Sequence, residues 1–260
     1  MCLLILAHGV APLFPLVVAA NRDEFHARAT APAAFWTDHP DLYAGRDLEQ
    51  GGTWMGVTRS GRFAAVTNFR DPGRTAPAPR SRGELPLDFL AGRDTPAGYL
   101  AAVATRGDEY AGFNLLVGDR DGLWYLDNSP GGRPEALAPG IYGLSNARLD
   151  TPWPKVELGK SRLRSLLEGD RLTHDALGAV VADRGLADED ALRLAGLEDG
   201  MARTLSAQFI VGEHYGTRST TTLWIGEDGC AHWREACFEP AGTRSRVAEE
   251  ILQPGRESGD

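Results

Sequence analysis

The sequence predicts an α+β fold, with strands gathered at both ends of the chain and helices in its middle. Two observations carry this. Cys2–Ala7 and Leu16–Ala20 are continuous apolar runs separated by a short segment containing Gly9, Pro12 and Pro15. Runs apolar on both faces, joined by turn residues, read as two paired strands of a sheet covered on both sides. The other strand-like runs are not interleaved one-for-one with helical patterns. That argues against a strict βαβ repeat.

In chain order, further strands are expected at Leu42–Ala44, Thr53–Val57, Phe63–Asn68, Phe113–Gly118, Leu123–Asp127 and Ile141–Leu144. Three more are expected near the C-terminus, at Ala207–Val211, Thr220–Ile225 and Ala231–Ala236. Each is a short apolar or β-branched run bounded by Gly, Pro, Asn or Asp. Helical periodicity appears at Leu85–Leu90, Pro96–Thr105, Pro154–Leu167, Thr173–Asp183 and Asp188–Leu194. Asp94, two residues before Pro96, suits a capped helix start, and Pro154 suits a first helical turn. Punctuation is frequent and no repeat or long linker appears, so residues 1–260 are expected to form one domain with a flexible tail over about 253–260.

Composition narrows the function. Hydrophobic residues make up 42% and charged residues 24% of the 260 positions, ordinary for a water-soluble globular chain. The net charge is −9 and no basic run stands out, which is a poor footing for nucleic acid or an anionic membrane surface. Met1–Ala20 is apolar, but no Lys or Arg precedes Arg22, and Pro12 and Pro15 interrupt it. A targeting segment or membrane span is not expected, and a cytoplasmic location is. The three cysteines do not make a disulfide framework. Cys230 and Cys237 lie in a strand-like segment and are ~23 Å apart at ~3.3 Å per residue when extended. No Cys-x-x-Cys or His/carboxylate spacing suits a metal, and no phosphate-binding glycine loop is present.

The first hairpin concentrates polar chemistry. With its turn near Ala11–Pro12, opposed residues sum to about 23, and Cys2 faces Asn21. Cys2, Asn21 and Asp23 would then share one side of the sheet and Arg22 the other. A slip of one residue would exchange Arg22 for the other two. Cys2 is also small enough to permit removal of Met1 by methionine aminopeptidase. It would then carry a thiol and a free α-amine with an ordinary pKa of about 7.7–8.0, a nucleophile and its base on one residue. A plain buried core cysteine and a solvated turn are the alternative readings of Cys2 and of the charged run.

At Asn21-Arg22-Asp23-Glu24-Phe25 the chain resembles the NRDE family, also called the transport and Golgi organization protein two family. The resemblance continues through Ala44-Gly45-Arg46-Asp47, Gly51-Gly52-Thr53-Trp54-Met55-Gly56 and Thr67-Asn68-Phe69-Arg70. It extends to Ser81-Arg82-Gly83-Glu84-Leu85, Gly112-Phe113-Asn114-Leu115 and Gly143-Leu144-Ser145-Asn146. Asp150-Thr151-Pro152-Trp153-Pro154-Lys155 and Tyr215-Gly216-Thr217-Arg218-Ser219-Thr220 complete it.

The resemblance implies the four-layer αββα sandwich of the N-terminal nucleophile hydrolases, with Cys2, Asn21, Asp23 and Asn146 as catalytic candidates. Arg22, Trp54, Asn68, Asn114 and Arg218 are then substrate-binding candidates. Cysteine-type members such as penicillin V acylase carry Arg-Asn-x-Asp after the second strand. The matching stretch here is Ala20-Asn21-Arg22-Asp23, so Arg22 or Arg218 is left to supply the charge. The implied function is hydrolysis of a small acyl amide or thioester, with no cofactor required. The family association implies an alternative, a non-catalytic carrier of haem or an acyl ligand in haem trafficking or lipid homeostasis. Haem would then be cargo. The residues offer no Cys-x-x-Cys-His, and the six His are scattered.

Overall fold

The computed structural model describes residues 2–69, 78–169, 171–194 and 202–255. Arg70, the last residue of one resemblance block, lies outside them, as does the 256–260 part of the expected tail. The strands are β1 (Cys2–Ala11), β2 (Phe14–Phe25), β3 (Thr30–Phe35), β4 (Leu42–Asp47), β5 (Met55–Thr58), β6 (Phe63–Asn68) and β7 (Phe113–Asp119). They continue as β8 (Gly122–Asp127), β9 (Glu135–Ala136), β10 (Gly140–Leu144), β11 (Tyr215–Ile225), β12 (Ala231–Phe238) and β13 (Arg244–Leu252). The helices are α1 (Glu84–Ala91), α2 (Pro96–Ala104), α3 (Pro154–Leu167), α4 (His174–Ala179), α5 (Glu189–Leu194) and α6 (Ala202–Leu205). The fold is α+β. Two sheets are present, one in the order β10-β1-β2-β11-β12-β13 and the other running β3 to β9 in sequence.

The chain forms two compact units. The first comprises Met1–Ala27, Pro139–Trp224 and Arg234–Val247. In it β1 lies between β10 and β2, antiparallel to both. Side chains alternate along β1, and its first six residues are all buried, so both faces are covered, as the continuous apolar run predicts. Leu3, Ile5 and Ala7 of β1, with Val17 and Ala19 of β2, pack under Trp153, Val156, Leu163, Leu177 and Val180 of the α3–α4 region. Gly159 lets α3 close onto this face, because a Cβ there would sit 2.6 Å from Ile5 Cγ1 and Cδ1.

The second unit comprises Arg28–Ala138, Ile225–Trp233 and Ala248–Asp260. Its sheet packs Ala64, Val66, Leu115, Val117 and Leu126 against Leu85, Phe89 and Leu90 of α1 and Tyr99, Leu100 and Val103 of α2. Gly51 turns the chain at φ 77°, and Gly52 runs so close to the start of α1 that a Cβ would lie 2.4 Å from the Gly83 carbonyl. The N-cap of α2 is Thr95, whose hydroxyl accepts from Gly98 N at 3.2 Å; the expected Asp94 does not cap it. Each unit thus supplies a sheet with helices on one face.

Two expectations are corrected. Ala207–Val211 is not a strand. Its backbone is held irregularly, with Phe209 N donating to Asp183 O at 2.8 Å and Ile210 N to Thr217 Oγ1 at 2.9 Å. The hairpin register is also one residue from the expected one: Cys2 pairs with Arg22 and His8 with Leu16, so opposed residues sum to 24. At the turn Ala11 pairs with Phe14, and the register shifts between His8 and Ala11. Gly9, at φ 63°, lies where β1 takes in that extra residue.

Candidate active site

The start of β1 meets the end of β2 in the first unit, and the register decides what surrounds Cys2. Directly opposed side chains share a face, so Cys2 and Arg22 do. Asn21 and Asp23 flank Arg22 in the same strand and so project from the opposite face of the sheet, the reverse of the grouping expected from the sequence. Their Cα atoms lie ~6 Å from that of Cys2, from a ~5 Å strand separation and a ~3.3 Å rise. All four residues are buried: Cys2 is 9% exposed, Arg22 7%, and Asn21 and Asp23 1% each. The polar run that reads as a solvated turn is therefore part of the interior.

Burial dictates partners. Asn21 Nδ2 donates to Val181 O at 2.8 Å and to Gln208 O at 2.7 Å, while its Oδ1 accepts from Thr220 Oγ1 at 2.6 Å. Both amide hydrogens are thereby used on backbone carbonyls. Asp23 Oδ1 accepts from Thr217 Oγ1 at 2.7 Å, and its backbone carbonyl accepts from the Tyr215 hydroxyl at 3.0 Å. Ser145 and Asn146 follow β10, the other neighbour of β1, and both are buried. Ser145 Oγ lies 3.2 Å from both Cys2 O and Asn146 Oδ1, so one hydroxyl links the backbone of Cys2 to the Asn146 amide.

Lys155 is the residue that the sequence reading of the site missed. It stands in the first turn of α3, is 4% exposed, and donates from Nζ to Leu205 O at 2.7 Å. Its own carbonyl accepts from Gln208 Nε2 at 2.9 Å, which ties the start of α3 to the same residue that Asn21 grips. A signal was available: a cation in the first turn of a helix opposes the macrodipole, so its presence there calls for another reason.

The electrostatics are those of a buried cluster. Burial pushes the Cys2 thiol up from its ordinary value, and the Asp23 carboxylate adds to this. The N-terminal ammonium, then Arg22 and the Asp23 backbone N–H, pull it back down. Burial likewise raises the Asp23 carboxyl against the opposing pull of Lys155, the Thr217 hydroxyl and Arg22. Burial lowers the Lys155 ammonium, while Asp23 and Cys2 support its charge. The Tyr215 phenol is raised by burial first and then by the negative groups around it.

The remaining sequence-derived candidates fall elsewhere. Arg218 Nη1 donates to the carbonyls of Phe25 at 2.9 Å and His26 at 3.2 Å, holding the chain where β2 ends. Trp54, Asn68 and Asn114 belong to the second unit. The Trp54 indole lies over Gly45, where a Cβ would stand 2.3 Å from its ring. Asn68 ends β6. Asn114 is fully buried; its Nδ2 donates to Thr67 Oγ1 at 3.1 Å and its Oδ1 accepts from the Tyr125 hydroxyl at 2.6 Å. All three cysteines are free thiols. Among the described residues no helix is long and apolar enough to cross a membrane.

A profile of the family described as Transport and Golgi organisation 2 matches residues 1–240. The chain belongs to that family. Among curated relatives, the Transport and Golgi organization protein 2 homolog of Bos taurus is 36% identical over 232 residues, covering 83% of this chain and 84% of its own length. The homolog of Homo sapiens is 34% identical over 255 residues, covering 87% and 92%. Two solved structures are similar at low identity. One is the Caenorhabditis elegans ortholog of N-acylethanolamine-hydrolyzing acid amidase, 9% identical, TM-score 0.47, covering 70% of this chain and 86% of that one. The other is the mutant C2A conjugated bile acid hydrolase from Clostridium perfringens, 11% identical, TM-score 0.46, covering 97% and 92%.

Proposed function

We propose that the protein is an N-terminal cysteine hydrolase of a small acyl amide or thioester, with Cys2 exposed as the first residue by removal of Met1. One observation carries the reading: the buried Cys2 at the start of β1 stands opposite the buried Arg22, with the Asp23 backbone N–H and carboxylate acting on its thiol and Ser145 Oγ on its carbonyl. A cysteine serving only as a core residue needs no such company, because burying charged groups is costly unless they act on one another.

In this proposal the Cys2 α-amine takes the thiol proton and the sulfur attacks the acyl carbonyl. Asp23 orients the amine. The tetrahedral oxyanion falls to Asn146, because both Asn21 hydrogens are committed to Val181 and Gln208. The protonated amine then gives its proton to the leaving nitrogen or sulfur, and water releases the acid from the acyl-enzyme. Arg22, opposed to Cys2, holds an anionic group of the substrate; Arg218 is occupied with the end of β2.

The test is a panel of acyl amides, acyl-homoserine lactones and acyl-coenzyme A esters, offered to protein proven to begin at Cys2. Turnover lost in Cys2→Ala and nearly lost in Cys2→Ser is expected, because a hydroxyl is a far weaker nucleophile at neutral pH. Activity that survives Cys2→Ala refutes the proposal. So does the absence of turnover together with saturable binding of haemin or acyl-coenzyme A, which is the behaviour of a carrier.

A further inference from the structure

We propose that Ser219 is a substrate-binding residue of the Cys2 site, its buried hydroxyl donating to an oxygen of the anionic group that Arg22 holds. This deepens the hydrolase reading and rests on it. Ser219 lies in β11, the neighbour of β2 in the sheet, and is 4% exposed. Its Oγ makes no hydrogen bond among the described residues. A hydroxyl is costly to bury unpaired, and an alanine would fill the place without that cost. The fold of the free chain gives no reason for a hydroxyl here.

Strand geometry aims that hydroxyl at the Cys2 side. Thr220 Oγ1 donates to Asn21 Oδ1 at 2.6 Å, so Thr220 stands on the Asn21 face of the sheet. Thr222 stands on it too, because its Oγ1 lies 2.7 Å from Nδ1 of His174 in α4. Ser219 precedes Thr220 and alternates with it, so it projects from the other face, the one that carries Cys2 and Arg22. Residue numbers fall along β11 as they rise along β2, from Thr220 at Asn21 to Thr217 at Asp23. One step from the Asn21–Thr220 contact therefore brings Arg22 beside Ser219. Cys2, Arg22 and Ser219 form a row across the adjacent strands β1, β2 and β11. At ~4.8 Å per strand the Cα atoms at its two ends are ~10 Å apart.

The backbone is irregular at this point. Thr217 Oγ1 donates to Asp23 Oδ1 at 2.7 Å, and Asp23 shares the face of Asn21. Thr217 and Thr220 thus stand on one face although three residues apart, where strict alternation would put them on opposite faces. β11 takes in an extra residue between them, a bulge of the kind that re-aims side chains. Within it Arg218 is held by the carbonyls of Phe25 and His26, which leaves Ser219 as the group presented to the row. A hydroxyl beside a guanidinium is a donor pair for a carboxylate or a similar oxyanion. With both groups within two strand spacings of Cys2, the anion belongs a few bonds from the scissile carbonyl and not at the far end of a long carrier.

The experiment is titration calorimetry on protein carrying Cys2→Ala, which can bind but not turn over. The probes are N-octanoylglycine, whose carboxylate lies a few bonds from the amide carbonyl, and its uncharged primary amide. The carboxylate is expected to bind, and adding Ser219→Ala is expected to weaken it about tenfold, the loss of one hydrogen bond to a charged group. The amide should change by less than about twofold. Ser219→Ala alone should melt no more than about 2 °C below wild type, because the removed hydroxyl bonds nothing in the free chain. Unchanged affinity in Ser219→Ala overturns the proposal, as does an equal loss for both probes or no binding of the carboxylate at all. A larger fall in melting temperature also overturns it, because the hydroxyl then serves the fold. Because the readout is not turnover, the two readings separate. Binding that depends on Ser219 in a protein that hydrolyses nothing supports Ser219 and removes the hydrolase. Turnover by the wild-type protein with KM unchanged in Ser219→Ala does the reverse.

Discussion

Replacing Asn21 by Ala should destabilise the first unit rather than merely slow a reaction. The side chain makes three hydrogen bonds, two of them to the carbonyls of Val181 and Gln208, which are 0% and 1% exposed. Removing the amide leaves both carbonyls buried without that partner, at about 1–2 kcal/mol each, and loses the bond from Thr220, worth about 0.5–1 kcal/mol. The sum is about 3 kcal/mol. At roughly 2–4 °C per kcal/mol for a chain of this size, the melting midpoint should fall by about 6–12 °C. The assay is thermal and urea unfolding followed by circular dichroism, with Asn21→Asp as a near-isosteric second variant that keeps Oδ1 and loses both N–H donors. A shift below about 2 °C in both variants would refute the reasoning and return Asn21 to the role of an oxyanion donor.

Two further outcomes follow from single residues. Burial lowers the His8 pKa below its ordinary 6.5, although the Pro15 backbone pulls the other way. The unfolded chain therefore binds the proton more readily, so His8 makes stability rise with pH from the folded value up to about 6.5 and fall as pH drops through that window. His8→Gln should flatten this part of a stability–pH curve; an unchanged slope would contradict the assignment. Gly52→Ala places a Cβ 2.4 Å from the Gly83 carbonyl and disturbs the 3.0 Å bond from Thr53 N to Gly83 O. It should cost about 2–4 kcal/mol, read as a lowered urea midpoint, whereas a wild-type midpoint would mean that the two segments separate freely.

The sequence was informative where burial and periodicity agree. The α3 bounds of Pro154–Leu167 are readable from Pro154 and from the apolar stripe that ends on Val156 and Leu163 in the core. The first hairpin is readable from its two apolar runs. Its register was not, because a single residue absorbed near Gly9 moves Arg22 to the face of Cys2, and apolar patterning is silent when both faces are buried. Ala207, Phe209 and Ile210 are apolar because they lie in the interior, and apolarity reports burial before it reports strand geometry. Two edge strands were invisible for the opposite reason. β13 is mostly exposed and polar, and β3 contains Pro32 and a register shift, features that edge positions tolerate. Within the site, the closeness of Cys2 to the Asn21-Arg22-Asp23 run was legible from the hairpin and the resemblance, but which of them shares its face was not: it is Arg22. Lys155 read only as part of a helix start, since its burial depends on Leu205 and Gln208, some fifty residues away in sequence.

The account stands most directly on the N-terminal peptide. Native protein is incubated briefly with an acyl donor that it turns over, quenched in acid, digested and weighed by mass spectrometry. The expected result is a peptide that begins at Cys2 and carries one acyl group, with Cys230 and Cys237 unmodified. A peptide that retains Met1, or an acyl group found on Cys230 or Cys237 and not on Cys2, would contradict it.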